Sequence, residues 1–118
     1  MELKINGKDY ELRFGLSFIN AIDNIYTQEM HGVEFGMGLE MLNTYLGLGR
    51  ATALYNVIKA GTSHLNSKPS NNDIENYLEE LATADNKDYD NLFDDIKGAM
   101  SQAPFLKRTM KNLENAQK

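Results

Sequence analysis

Residues 2–14 read Glu-Leu-Lys-Ile-Asn-Gly-Lys-Asp-Tyr-Glu-Leu-Arg-Phe, and this opening stretch decides the fold class. Apolar and polar residues alternate on both sides of a polar segment at residues 6–9. The apolar positions are Leu3, Ile5, Tyr10, Leu12 and Phe14. A period of two interrupted by a turn predicts a β-hairpin with one apolar face. Because a lone hairpin is marginal in water, that face predicts helices packed against it.

Two registers fit this hairpin. A type I′ turn at Asn6-Gly7 sets Glu2 opposite Glu11, whereas pairing Ile5 with Tyr10 sets unlike charges opposite each other. In that second register Leu3 faces Leu12, Lys4 faces Glu11 and Glu2 faces Arg13. Cross-strand charge pairs contribute about 0.2–1 kcal/mol each, so we predict the second register. Both registers keep the same apolar face.

Beyond residue 15 the apolar spacing changes to that of amphipathic helices. The first helix is predicted over residues 17–26 with Ser17 as its N-cap, the second from Met37 or Leu39 to Gly47, and the third from about Ala51 to residues 61–64. Residues 27–38 hold Gly32, Gly36 and Gly38. Glycines permit positive φ, so this segment is predicted to be a loop.

The strongest helix start lies at Ser70, because Asp73 follows three residues later in a capping-box spacing. Two apolar stripes follow, one of Ile74, Tyr77, Leu78 and Leu81, the other of Tyr89, Leu92, Phe93, Ile96 and Met100. These stripes predict a fourth and a fifth helix. Pro104 is suited to the first position of a sixth helix, whose apolar stripe is thin.

The predicted fold class is α+β and mostly α, with an N-terminal β-hairpin packed on a bundle of about five to six helices. The length of 118 residues suits one domain that buries roughly two-thirds of its unfolded surface. We expect a hairpin over residues 1–14 and a helical core over residues 15–101. Residues 102–118 are expected to form a basic helix that stays mobile unless a partner covers it.

Composition argues against most catalytic classes. The chain has no cysteine, so it has no disulfide, thiolate nucleophile or cysteine-bound metal. His31 and His64 do not form a metal-binding spacing, and residues 85–90 lack the ligands and the glycine of a calcium loop. Neither Gly36-Met37-Gly38 nor Gly47-Leu48-Gly49 matches a dinucleotide fingerprint. We therefore expect no catalytic residues, no cofactor and no metal.

The same reading argues against membranes and nucleic acid as partners. A turn motif follows within the first seven residues, too early for the apolar stretch of a signal peptide, and no window approaches 18 consecutive apolar residues. An intracellular, non-membrane protein is therefore expected. Residues 72–95 carry nine acids against Lys87 alone, whereas the chain after residue 95 is basic. An acidic face repels phosphates, so duplex nucleic acid is a poor candidate partner. The acidic run is interpreted as a solvated face, with a charged partner surface as the alternative.

Five blocks of the sequence together resemble a known family. They are Leu3-Lys4-Ile5-Asn6-Gly7-Lys8, Phe14-Gly15, Phe35-Gly36-Met37-Gly38-Leu39, Leu54-Tyr55-Asn56-Val57-Ile58-Lys59-Ala60 and Ile74-Glu75-Asn76-Tyr77-Leu78. In this order they resemble the tail assembly chaperones of long-tailed phages and prophages of Gram-positive bacteria. The resemblance spans residues 3 to about 96, and its most specific part is the glycine block at residues 35–39 combined with the hairpin opening.

The resemblance implies a non-enzymatic protein without a cofactor. Such a chaperone binds the tape-measure protein, keeps it soluble, helps recruit tail-tube subunits in the host cytoplasm and is absent from the mature virion. Its expected partners are the tape-measure protein and the tail-tube protein, and it allows homo-oligomers. Because thioether side chains adapt to irregular apolar surfaces, methionines are candidate contacts. The predicted protein-binding residues are Phe35, Met37, Leu39, Met41, Leu106, Met110 and Leu113.

Other interpretations stay open. The predicted binding residues could instead complete the core of the monomer. The protein could also be a structural head-tail connector or tail completion protein that remains in the particle. A third possibility is a regulatory adaptor that offers its acidic helices to a basic partner surface.

Overall fold

The computed structural model describes the backbone of residues 1–30 and 32–116, and their side chains except those of residues 28–30, 33–36, 110 and 112–116. The strands are β1 (Glu2–Ile5), β2 (Lys8–Glu11), β3 (Thr27–Met30) and β4 (Val33–Gly36). The helices are α1 (Leu16–Ile25), α2 (Gly38–Gly47), α3 (Ala51–Gly61), α4 (Asn71–Thr83), α5 (Asp88–Gln102) and α6 (Pro104–Ala116). An N-terminal hairpin followed by six helices confirms the predicted α+β, mostly α class.

The register predicted for the first hairpin is wrong. The structure pairs Glu2 with Glu11, Leu3 with Tyr10, Lys4 with Asp9 and Ile5 with Lys8. The turn residues Asn6 and Gly7 both have positive φ, 51° and 77°, as in a type I′ turn. This turn belongs to the first of the two registers, which the cross-strand charge pairs disfavour. The twist of this turn matches the strands and outweighs the weak charge pairs, and Glu11 gains Arg13 as an ion-pair partner at 2.6 Å.

The first hairpin packs on α3 and α4. Leu3, Ile5, Tyr10 and Leu12 are buried, as the alternation predicted. The Arg13 amide donates to the Gly61 carbonyl at 2.9 Å, so the chain after β2 is fixed to the end of α3. On the other side, the Asn6 side-chain amide donates to Asp73 Oδ1 at 3.3 Å, which ties the turn to the start of α4.

The loop predicted for residues 27–38 is a second hairpin, so that prediction is wrong. β3 and β4 pair antiparallel, from Thr27 opposite Gly36 to Met30 opposite Val33. The Met37 amide closes the base by donating to the Tyr26 carbonyl at 3.0 Å. Gly32 has φ 79°, so at least one of the glycines that suggested a loop serves a tight turn between strands. His31 lies outside the described residues.

Most predicted helices are confirmed. The Ser70 hydroxyl accepts a hydrogen bond from the Asp73 amide at 3.0 Å, which confirms the cap of α4, and Pro104 is the first residue of α6. The exception is the start of α1. Gly15 is its N-cap without a side-chain hydrogen bond, and Ser17 is the second helical residue.

The hydrophobic core forms one cluster that draws on the first hairpin and on all six helices. α1 contacts α2 and α3, α3 contacts α4, α4 contacts α5, and α6 contacts both α5 and α2. The fully buried side chains of this cluster include Phe18, Ile22, Leu42, Leu54, Ile96 and Leu106. α6 therefore contributes to the core at its first turn.

Replacing Gly98 by alanine is expected to stabilise the protein. Gly98 is an exposed residue inside α5, and an added Cβ would meet no atom within 4 Å. Alanine is favoured over glycine in a helix by roughly 0.5–1 kcal/mol, so Gly98→Ala should raise the free energy of unfolding by about that amount. Urea denaturation measures the change. Gly49→Ala is the control: its φ of 71° lies in the left-handed region, so the same substitution should destabilise there. A destabilised Gly98→Ala protein would contradict the packing of α5.

Candidate functional site

The glycine block at residues 35–39 forms the junction between β4 and α2. A Cβ on Gly38 would lie closer than 3.0 Å to Ile22 Cγ2, to Asp23 Oδ1 and to the Asp23 backbone nitrogen. The Gly38 amide donates to Asp23 Oδ1 at 2.8 Å, which places a carboxylate at the positive N-terminal end of α2. Gly38 therefore permits α2 to begin directly against α1, and the most specific part of the sequence resemblance is a structural junction.

The structure separates the predicted binding residues into three groups. Leu39 and Leu106 are buried in the core, at 6% and 0% exposure. Met37 and Met41 are half-buried. Met37 is the N-cap of α2, Met41 packs against the core from the first turns of that helix, and the Met41 amide donates to the Met37 carbonyl at 3.0 Å. The side chains of Phe35, Met110 and Leu113 lie outside the described residues. The structure thus brings Met37 and Met41 together beside the base of the second hairpin.

A buried polar contact lies behind this junction. The Asn56 side-chain amide on α3 donates to the Tyr26 hydroxyl at 2.8 Å, and both residues are 8% exposed. The Tyr26 ring also packs against Tyr45, with 5.7 Å between ring centroids. Because a buried polar group is costly without its partner, this pair holds the end of α1 in a defined position against α3.

Several apolar side chains that the sequence analysis did not select are exposed. Leu16, Leu48 and Phe105 are 60%, 66% and 53% exposed. Each lies at the start of a helix or just after one, and none belongs to the buried apolar stripe of its helix. This position outside the stripe is the sequence feature that indicates their exposure. Exposed apolar residues of this kind are common when scattered singly.

An apolar groove lies between α3, α4 and the start of α5. It has a volume of about 500 Å³. Its apolar lining consists of Ala51, Tyr55, Leu78, Ala82 and Tyr89, and Glu75 and Glu79 stand at its edge. The Tyr89 ring packs edge-on against Phe93, with 5.4 Å between centroids, so it has a fixed position. Sequence analysis missed this groove because its walls come from three separate helices.

The surface around α4 and α5 is strongly acidic. The exposed acids are Glu75, Glu79, Glu80, Asp85, Asp88, Asp90, Asp94 and Asp95. Within the described part of the chain the only salt bridge is that between Arg13 and Glu11, so these carboxylates face solvent. Their field reaches Tyr77, whose pKa is raised by burial first and by Asp88 and Asp95 second.

This raised pKa predicts a loss of stability in alkali. The ordinary phenol pKa is 10.0, and folding raises the pKa of Tyr77 above it. Well below pH 10 the Tyr77 phenol is protonated in both the folded and the unfolded chain. As the pH rises past 10, Tyr77 ionises first in the unfolded chain, so the free energy of unfolding falls. Tyr77→Phe should remove this part of the loss. Urea denaturation of both proteins at neutral and alkaline pH measures it. A wild-type-minus-variant difference that does not change between the two pH values would contradict the prediction.

The described residues show no group of three or more histidine, aspartate or glutamate side chains placed to hold a metal ion. His64 lies in the turn after α3, and its Nε2 is buried without a hydrogen-bond partner among these residues. Over residues 1–30 and 32–116, no helix has the length and apolar character needed to cross a membrane. What the geometry offers is apolar surface bordered by carboxylates.

Comparison with protein families identifies a matching family. A family model described as "Phage tail assembly chaperone protein, TAC" matches residues 2–114. Comparison with curated proteins and with solved structures gives no match. The family match covers the first hairpin, the junction at Gly38, the groove and most of α6.

Proposed function

The chain belongs to the phage tail assembly chaperone family, and from this membership we propose that it binds the tape-measure protein, keeps that protein soluble and helps recruit tail-tube subunits. The match over residues 2–114 is the observation that carries the proposal. An assembly chaperone acts in the host cell while tails are built. We place this action in the cytoplasm and expect the protein to be absent from the mature virion.

The surface of the molecule supports this role. A tape-measure protein is a long helix-rich chain whose apolar stripes aggregate unless they are covered. The groove offers apolar contact area, whereas the acidic surface of α4 and α5 keeps a complex soluble by charge repulsion. The protein then works by reversible binding, without a catalytic step.

The proposed contacts with the partner include the methionine pair Met37 and Met41, together with Phe35, Met110 and Leu113. Methionine side chains repack around different apolar partners, which suits binding to a long and variable helical chain. Leu39 and Leu106 are 6% and 0% exposed, so most of each side chain packs against the protein's own core. They support the binding surface from the core.

The double variant Met37→Asp with Met110→Asp tests these contacts. We expect lost capture of the tape-measure protein without a fall in melting temperature, because aspartate is a favourable N-cap residue at position 37 and a charge at an apolar contact is costly in the complex. Capture is measured by affinity purification of the tagged chain from cells that also express the tape-measure protein. Leu39→Asp serves as the core control and should lower the melting temperature. A fall of several degrees in the double variant would assign these methionines to the core instead.

Two further measurements separate this function from the alternatives. A head-tail connector or completion protein stays in the particle, so mass spectrometry of purified virions should detect it, whereas a chaperone should be absent. A regulatory adaptor would bind a basic host protein through its acidic face and would leave a co-expressed tape-measure protein insoluble. Recovery of this chain in stoichiometric amounts from virions would contradict the chaperone proposal.

A further inference from the structure

The groove between α3, α4 and α5 extends along about two turns of α4. Its α4 wall runs from Glu75 through Leu78 and Glu79 to Ala82, which are the spacings of one helix face. Seven residues of helix span roughly 10 Å, or two turns. Tyr55 and Tyr89 supply aromatic walls on the other sides. A site of this length accepts apolar side chains spaced as on one face of a partner helix.

The charges at the groove specify the partner further. Glu75 and Glu79 stand one turn apart on the exposed edge, and the other acids of α4 and α5 add to the negative field. Among the described residues none of these carboxylates is in a salt bridge. Lys59 is a nearby base, with its Nζ 5.7 Å from the centre of the Tyr55 ring. An occupant that carries lysine or arginine beside its apolar stripe would neutralise the two glutamates.

We propose that this groove binds an amphipathic helix of the tape-measure protein whose apolar stripe is flanked by lysine and arginine. The inference rests on the proposed function, because it takes the tape-measure protein as the source of the helix. It adds a location, a spacing of apolar residues and a charge preference to that function.

The basic helix α6 of a second copy is the competing occupant. Its exposed residues include Phe105, Lys107 and Arg108, which suit an acidic edge. However, Leu106 is fully buried in its own chain, so Phe105 is the one large apolar side chain that the described part of α6 exposes. A groove two turns long needs several apolar side chains in a row. Because the proposed function already takes Met110 and Leu113 of α6 as contacts with the tape-measure protein, we take a helix of that protein as the occupant, and a second copy is an outcome of the test.

Binding of designed peptides to the purified chain tests the site. Two helical peptides of about 20 residues carry the same apolar stripe, one flanked by lysine and the other by glutamate. Fluorescence anisotropy of the labelled peptides gives the affinities. The lysine-flanked peptide should bind at least about tenfold more tightly at low salt, and its affinity should fall as salt is added. Glu75→Gln with Glu79→Gln should reduce both the preference and the salt dependence, whereas Glu80→Gln with Asp94→Asn, which removes equal charge outside the groove, should change them less.

Ala82→Arg places a bulky side chain in the groove and adds a positive charge to it. Ala82 is exposed and arginine is a good helix former, so the variant should fold and melt as the wild type does. Asn76→Arg is the matched control, because it adds the same charge to an exposed position of α4 outside the groove. Ala82→Arg should lower the affinity for the lysine-flanked peptide by about tenfold or more. It should also fail to solubilise a co-expressed tape-measure protein. Asn76→Arg should retain both activities.

The outcomes separate the site from the function. If the wild type and Ala82→Arg solubilise the tape-measure protein equally, the groove is not the binding site and the chaperone proposal stands. If the wild type also leaves the tape-measure protein insoluble, both proposals fail. Equal binding of the two peptides overturns the charge preference. Self-association of the chain that Ala82→Arg abolishes would identify a second copy as the occupant and overturn the inference.

Discussion

Gly38→Ala is expected to lower the free energy of unfolding by about 3 kcal/mol, with a fall in melting temperature of roughly 10 °C. The added Cβ would overlap Ile22 Cγ2, Asp23 Oδ1 and the Asp23 backbone nitrogen. The backbone nitrogen of α1 cannot move aside as a flexible side chain can, so α2 must shift away. That shift also breaks the hydrogen bond from the Gly38 amide to Asp23 Oδ1, which is 2.8 Å long.

Gly47→Ala is the matched control for this prediction. Gly47 is the last residue of the same helix, and a Cβ there would meet no atom within 4 Å. The same substitution should therefore leave stability unchanged or raise it slightly. Thermal melting followed by circular dichroism and urea denaturation compares the two variants. Equal melting temperatures for Gly38→Ala and Gly47→Ala would show that α2 does not begin in close contact with α1.

Leu106→Ala is expected to cost about 3 kcal/mol, within the usual range for a fully buried leucine. Leu106 is 0% exposed and belongs to the central core cluster, and its helix α6 contacts both α5 and α2. Truncation leaves a cavity at the point where α6 joins the core. We therefore expect amide protection of α6 in hydrogen exchange to fall more than that of α4.

Phe105→Ala is the control for α6. Phe105 precedes Leu106 and is 53% exposed, so its truncation should change stability by only a few tenths of a kcal/mol. Urea denaturation of the two variants measures the contrast. If both substitutions have the same small effect, α6 is not packed through Leu106, and this residue returns to the set of candidate partner contacts.

The sequence could predict the elements that local chemistry determines. Alternation on both sides of Asn6-Gly7 identified the first hairpin, and the capping-box spacing from Ser70 to Asp73 identified the start of α4. The type I′ turn at Asn6-Gly7 is also a local feature, and it predicts the correct register of this hairpin. Cross-strand charge pairs are too weak to override that turn, so the register that they predict is wrong.

The second hairpin shows a different limit. The glycines at residues 32, 36 and 38 were interpreted together as loop signals, yet Gly32 adopts a turn conformation and Gly38 meets a close neighbour. Only the position of α1 reveals why residue 38 must be glycine. Single-sequence patterns cannot show such a contact, because Ile22 and Asp23 lie 15 or more residues away.

The candidate site was the hardest part to predict. An apolar residue on an amphipathic helix looks the same in the sequence whether it faces the core or a partner, so Leu39 and Leu106 could not be distinguished from Met37 and Met41. The groove is also invisible in the sequence, since Tyr55, Leu78 and Tyr89 come together only when three helices pack. The family resemblance, by contrast, depended on residue order alone, and the match over residues 2–114 confirms the family.

The proposed function is that this chain keeps a tape-measure protein soluble by covering its apolar helices. The most direct measurement is the soluble fraction of the tape-measure protein after centrifugation of lysates, with and without co-expression of this chain. We expect the tape-measure protein mainly in the pellet when it is expressed alone and mainly in the supernatant, bound to this chain, when both are present. An equal distribution in the two lysates would contradict it.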